Sequence, residues 1–180
     1  NLDGTPAAGN PMADKPAPTN EIWSYGHRNI LGMGFDAQGR LWEVEHGPGG
    51  GDEFNLVQAG ANYGWPVVSD GDHYDGEEIA NNDTRPDLAQ SAITWTPVIA
   101  PGGMIIYDGD LFADWKNTAL IAGLSSNALV HVKIDGESAS EAARYDFGNR
   151  LRGVVQGPDG AIWAFEDGEG ARLMRLSPAS

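Results

Sequence analysis

The chain is 180 residues long, enough for one domain with a core of its own, and 41% of its residues are hydrophobic, the composition of a sequence that folds. Its formal net charge of -15 argues against a surface for nucleic acid or an anionic membrane, and suits cations such as calcium that take oxygen ligands. Cysteine is absent, which excludes disulfides, thiolate catalysis and cysteine-based zinc sites, and no apolar run reaches the roughly 18 residues of a membrane span.

The 25 glycines and 11 prolines punctuate the chain, which favours many short strands over helices, and no segment keeps a 3.6-residue period. Residues 1–20 are rich in Pro, Ala, Gly and Asn and read as loop or linker. They lack the basic and apolar regions of a signal peptide and open without Met, so the chain is expected to be a piece of something longer. Residues 21–25 read as a short strand, followed by the polar knot Gly26-His27-Arg28-Asn29. Strands over 31–35 and 40–45 form a hairpin around Asp36-Ala37-Gln38-Gly39. A Gly-rich acidic loop then leads to an apolar segment at 54–57 and a further extended piece at 64–68. Residues 69–92 form a long acidic excursion, of a length that is usually functional or mobile. Extended segments follow at 94–99, 104–107, 119–124, 128–134, 154–156, 161–166 and 172–176, with a short segment at 112–115 and a connecting stretch over 137–149.

An internal repeat bears on architecture. FDAQGRLWEVEHG at 35–47 matches QGPDGAIWAFEDG at 156–168 without a gap, pairing Gly39 with Gly160, Trp42 with Trp163, Glu45 with Glu166 and Gly47 with Gly168. The unit is a turn followed by a strand with one buried Trp. Repeated antiparallel units at this spacing suggest an all-β propeller; a generic β-sandwich is the alternative.

Several clusters carry chemistry. Residues 42–66, WEVEHGPGGGDEFNLVQAGANYGWP, place Glu43, Glu45, Asp52 and Glu53 around a backbone almost free of side chains, which suits close approach of a ligand or ion and equally describes a polar loop. Asp52 and Glu53, with the carbonyls of Gly47 and Pro48, offer the hard oxygens that calcium takes, without the spacing of an EF-hand. Arg28 and Asn29 offer planar donors for carboxylates and carbonyls, or a turn whose Arg pairs with the acidic surface. Arg150 and Arg152 share one face of an extended segment and read as an anion clamp or as two solvated arginines. The cluster Asp70, Asp72, Asp75, Glu77, Glu78 reads as a solvated loop. His131 alternates with apolar residues and reads as structural or surface, whereas His46 and His73 lie in loops within reach of a ligand. Neither a Ser-His-Asp pattern nor a zincin motif is present.

GHRN at 26–29, EHGPGGGDEFNLVQAGANYGWP at 45–66 and RLRGV at 150–154 resemble the soluble pyrroloquinoline-quinone (PQQ)-dependent sugar dehydrogenases, which include the aldose sugar dehydrogenases and the glucose/sorbosone dehydrogenase family. The resemblance runs from about residue 20 to the C-terminus. It implies a six-bladed β-propeller in the periplasm or secreted, of which residues 21–180 would supply about three blades at the C-terminal end, with residues 1–20 continuing from blades upstream. It implies oxidation of the C1 hydroxyl of an aldose sugar, with hydride passing to PQQ and electrons to an external acceptor, and leaves open whether the protein is a monomer or a homodimer. By motif, Arg28, Asn29, Tyr74, Arg150 and Arg152 would contact the quinone. The main-chain oxygens of Gly47 and Pro48 would bind the calcium that accompanies it, and Glu53 and Tyr63 fall at calcium-site positions. The chain departs from the pattern at Ile30-Leu31, where Pro-Gln is common, at Gly49, where Arg is common, and at Ser125-Ser126-Asn127, where many members carry a cofactor-binding Lys. The family's catalytic base is a His of the N-terminal half, and none of the four histidines here occupies that motif, so this stretch alone is expected to be inactive. A non-catalytic, calcium-stabilised binding module is the alternative reading.

Overall fold

The computed structural model describes residues 1–178. It contains eleven strands and three short 3-10 turns, and among the described residues no α-helix. The strands form three antiparallel sheets. The first holds β1 (Ile30–Phe35), β2 (Leu41–Glu45), β3 (Asp52–Leu56) and β4 (Ile93–Trp95). The second holds β5 (Pro101–Tyr107), β6 (Thr118–Gly123), β7 (Ala128–Asp135) and β8 (Ser138–Asp146). The third holds β9 (Leu151–Gln156), β10 (Ile162–Glu166) and β11 (Leu173–Leu176). Each sheet is a meander in chain order, as the blades of a propeller are.

The sheets stack with the second in the middle. Alternation along each strand sorts the apolar side chains into two cores. Trp42, Val44, Phe54 and Trp95 of the first sheet pack on Met104, Ala119, Ile121, Val130 and Val132. Tyr107, Leu120, Ala122 and Leu129 leave the other face of the middle sheet and meet Leu151, Val154, Ile162 and Ala164 of the third. Strand β6 serves both cores and is buried throughout, which explains its unbroken apolar run. Trp163 breaks the expectation of one buried Trp per repeat. Its strand neighbours Ile162 and Ala164 face the middle sheet, so Trp163 lies on the outer face with Val155 and Phe165 and is partly exposed.

The opening strands β1, β5 and β9 run side by side in the same direction. Glycine permits the approach: a Cβ on Gly32 would stand 2.6 Å from the Met104 nitrogen, and one on Gly102 would stand 2.5 Å from the Arg152 carbonyl oxygen. This brings the segments before all three strands to one end of the stack.

Residues 21–25 do not form the expected strand; a 3-10 turn over Thr19–Glu21 precedes a single bridge from Tyr25 to Asn62. Residues 64–68 are a turn, closed by Val67 and Val68 N–H groups donating to the Gly64 carbonyl. The short segment at 112–115 is a 3-10 turn over Ala113–Trp115. The connecting stretch at 137–149 contains the nine-residue strand β8, whose small and polar residues give little apolar alternation.

Candidate cofactor and calcium site

Strand β2 presents Trp42 and Val44 to the core, so Glu43 and Glu45 point to the opposite face, as do Glu53 and Asn55 across the ladder from Glu45 and Glu43. That face is covered by loops, and all four side chains are buried. Glu45 sits under the turn at 27–29. Its carboxylate accepts the main-chain N–H groups of Arg28 at 2.5 Å and Asn29 at 3.1 Å, and lies 3.2 Å from His27 Nδ1. The Asn55 amide nitrogen lies within 2.7 Å of Glu43, 3.2 Å of Glu45 and 3.0 Å of Glu53, so three carboxylates crowd one donor group. Asn82 donates to the other oxygen of Glu53 at 2.9 Å.

The charges adjust to burial. Desolvation opposes protonation of His27, but the Glu43 and Glu45 carboxylates outweigh it and raise His27 to about 9. Burial pushes Glu43 and Glu53 each up to about 7. Burial works the same way on Glu45, yet hydrogen bonds from His27, Arg28 and Asn29 prevail and hold it below the ordinary carboxylate range. The donor atoms of His27, Glu43 and Glu45 lie within 4.8 Å of one another. Their hydrogen bonds make them a charge-paired group that fastens the 27–29 turn to the sheet.

The loop between β2 and β3 is folded tightly on itself. A Cβ on Gly47 would lie 2.0 Å from the Gly50 carbonyl oxygen and 2.3 Å from that of Gly51, so no side chain fits there. Asp52, expected among the hard ligands, is instead committed to the backbone: its two oxygens accept the N–H groups of Gly47 at 3.0 Å and Ala100 at 2.6 Å. The Gly49 N–H donates to the Asp72 carbonyl and that of Gly51 to the Trp95 carbonyl, which ties the loop to the 69–92 excursion and to β4. Asp70 caps the Asn82 N–H at 3.0 Å and Asp72 accepts from Ile79 at 3.3 Å, so these two acids shape the excursion. A cavity of about 10 Å³, room for one water or ion, opens among Arg28, Glu45, Gly47, Glu53, Tyr63 and Trp65.

The other candidate residues gather at the same end. Arg28 donates to the His46 carbonyl at 3.1 Å and to the Tyr74 hydroxyl at 3.2 Å. Arg150 and Arg152 converge on one oxygen of Asp167, at 2.9 and 3.2 Å. Asn29 hydrogen-bonds through its main chain, accepting from His46 N–H as well as donating to Glu45. The Tyr63 hydroxyl is occupied, donating to the Leu56 carbonyl at 2.5 Å and accepting from Gln58 N–H at 2.9 Å, so only its main-chain oxygen is left to offer a cation. His46 does not point outward, since its Nε2 lies 2.7 Å from the Pro101 carbonyl, and His131 is buried against Thr118 and Trp115. In the Ser125-Ser126-Asn127 turn after β6, Ser126 has a buried hydroxyl with no partner.

Sequence reasoning missed the buried role of Glu43, Asn55 and Asn82, and all of Trp65. Alternation of Glu43 and Glu45 with Trp42 and Val44 signalled a second face; nothing local signalled that loops would bury it. Asn55 Oδ1, Asn82 Oδ1, Glu43 Oε2 and Arg28 Nε are buried without partners. Orphaned oxygens around Glu53, and an orphaned N–H on a guanidinium beside a glycine-rich loop, are what a cation and an anionic ligand would satisfy.

A family model described as Glucose / Sorbosone dehydrogenase matches residues 1–175. The chain is 41% identical to slr1608 of Synechocystis sp. over 179 residues, covering 98% of this chain and 43% of that protein. It is 36% identical to the aldose sugar dehydrogenase YliI of Escherichia coli K12, covering 94% of this chain and 47% of that protein. Among solved structures, the soluble aldose sugar dehydrogenase of E. coli in its apo form superposes with a TM-score of 0.88 at 35% identity, over 97% of this chain and 52% of that one. The PQQ-bound aldose sugar dehydrogenase of Streptomyces coelicolor superposes with a TM-score of 0.73 at 26% identity, over 97% and 49%. The chain thus spans about half the length of the proteins it matches, and its three sheets are three blades of a β-propeller. With a matching family model over nearly its whole length and the same fold throughout, the chain belongs to the glucose/sorbosone dehydrogenase family.

Proposed function

We propose that this chain supplies the cofactor-holding blades of a quinoprotein that oxidises the C1 hydroxyl of aldose sugars. Residues 21–180 are its propeller portion, and residues 1–20 are the connection to further blades. Arg28, Asn29, Tyr74, Arg150 and Arg152 hold PQQ, with the main-chain oxygens of Gly47 and Pro48 facing the calcium that accompanies it. Glu53 and the main-chain oxygen of Tyr63 take a calcium as well. When bound, the quinone accepts the hydride and calcium polarises its carbonyl.

The chain's own residues bind and orient. PQQ is a tricarboxylate, and a protein of net charge -15 needs guanidinia collected at one place to hold it. Three arginines lie at the one end shared by β1, β5 and β9, beside a loop almost free of side chains; this is the observation that carries the reading. Asp52 and Glu45 fix the two loops in advance, so little ordering remains to be done on binding. The base that removes the sugar's proton lies outside these residues, and the choice of sugar depends on loops and on the rest of the propeller. Electrons leave to an external acceptor, in a periplasmic or secreted setting.

Dye reduction tests the reading. The protein that carries this chain, given PQQ and calcium, is expected to reduce an artificial acceptor when an aldose is added and to stop when calcium is chelated. A protein that binds calcium yet shows no quinone-dependent dye reduction with any aldose would support a non-catalytic binding module instead.

A further inference from the structure

Arg28 differs from the other arginines of this protein. Arg40, Arg85, Arg144, Arg150, Arg152, Arg172 and Arg175 each form an ion pair with an aspartate or glutamate. Among the described residues, the Arg28 guanidinium is the one arginine side chain without a carboxylate partner, although acids outnumber bases 26 to 11. Its guanidinium instead lies 5.2 Å from the ring centre of Trp65 and 5.8 Å from that of Tyr74, and its Nε is buried with no acceptor. A carboxylate would hold this guanidinium but would also neutralise it. An aromatic face attracts the cation without spending its charge, and a partly buried indole is the strongest such face a protein has. Tyr74 is largely exposed, whereas Trp65 is partly buried and its main-chain N–H donates to the Gly26 carbonyl at 2.9 Å, which fixes its backbone, so Trp65 is the firmer support.

We propose that Trp65 is a positioning residue that stands in for a counter-ion, keeping Arg28 oriented, charged and unpaired for an anionic ligand. This rests on the reading of the site as a quinone site. One half of the test does not depend on it.

In uniformly ¹⁵N-labelled chain, the Arg28 Nε–H resonance is expected upfield of the other arginines through the ring current of Trp65, and to return to the common position in Trp65→Leu. In PQQ titrations, Trp65→Leu is expected to weaken binding about 5- to 30-fold, the range of a partly desolvated cation–π contact, and Trp65→Phe about 2- to 5-fold. On an Arg28→Met background Trp65→Leu is expected to add nothing, because its effect passes through Arg28. An unshifted Arg28 resonance in Trp65→Leu, or an equal loss of affinity on the Arg28→Met background, would overturn the proposal. If the unaltered chain does not bind PQQ, the quinone reading fails while the resonance still decides the role of Trp65. If Trp65→Leu does not fold, the Trp65→Phe series decides: an unchanged resonance and affinity overturn the proposal, and a graded change that vanishes on the Arg28→Met background supports it.

Discussion

The imidazole of His27 lies flat against the ring of Tyr63, with centroids 4.4 Å apart and planes inclined by 23°. On its edge, His27 meets Glu43 and Glu45 at 3.5 and 3.2 Å. The stack therefore joins the turn that carries Arg28 to the strand that carries Glu45 and to the loop that ends in Trp65. This group has a pH dependence whose direction follows from its raised ionisations. His27 is raised from 6.5 to about 9, so its contribution is complete below about 6.5 and is lost as pH rises through 9. Glu43 is raised from 4.5 to about 7, so its contribution is complete below about 4.5 and is lost as pH rises through 7. Both act in the same sense. The thermal midpoint, followed by circular dichroism, is expected to fall between about pH 5 and 9, and Glu43→Gln to flatten the lower part of that fall. A midpoint constant over this range in both proteins would contradict the assignment.

Asp52 is expected to matter for stability first. Asp52→Ala leaves the Gly47 and Ala100 N–H groups buried without an acceptor, at about 1–3 kcal/mol each. Urea unfolding should show a loss of about 2–5 kcal/mol for Asp52→Ala and a smaller one for Asp52→Asn, which keeps one acceptor. Equal losses would show that charge, not the two hydrogen bonds, is what this carboxylate supplies.

Arg150 and Arg152 are the other anion-binding element of the proposed site. Replacing either with Met is expected to weaken PQQ binding about 10-fold, in keeping with the loss of a charge-assisted hydrogen bond, and to lessen its sensitivity to salt. Arg85→Met, which breaks an exposed pair with Asp87, is expected to leave binding unchanged. Fluorescence titration distinguishes the three.

The outer face of the third sheet makes a separate prediction. Trp163 and Phe165 occupy the repeat positions of Trp42 and Val44, which the middle sheet covers. Among the described residues no sheet packs over them, and Val155, Phe165 and Leu173 are exposed. Phe165→Gln is expected to change the thermal midpoint by less than about 1 kcal/mol equivalent and to reduce binding of a hydrophobic dye, whereas Val44→Ala, in the covered face, is expected to cost about 1–3 kcal/mol. Equal costs at the two positions would contradict the assignment of the faces.

How much of this was legible in the sequence differed from element to element. The hairpin of β1 and β2 declared itself through its turn and its alternation, and the matching pair β9 and β10 through the repeat. Strand β8 did not, because SASEAARYD carries few apolar side chains and is held by its pairing with β7. Asp52 and Tyr63 looked like free ligands because sequence shows donor atoms but not whether the backbone already uses them. Arg28, Arg150 and Arg152 were legible as basic residues, but their placement at one end depends on β1, β5 and β9 lying abreast, a long-range relation that no local pattern encodes.

The most direct test of the central claim is a PQQ titration of this chain followed by absorbance, with calcium and with a chelator. The expected result is saturable binding that requires calcium and weakens with Arg28→Met, Arg150→Met and Arg152→Met. Binding indifferent to calcium and to all three arginines, or no binding by folded chain, would contradict it.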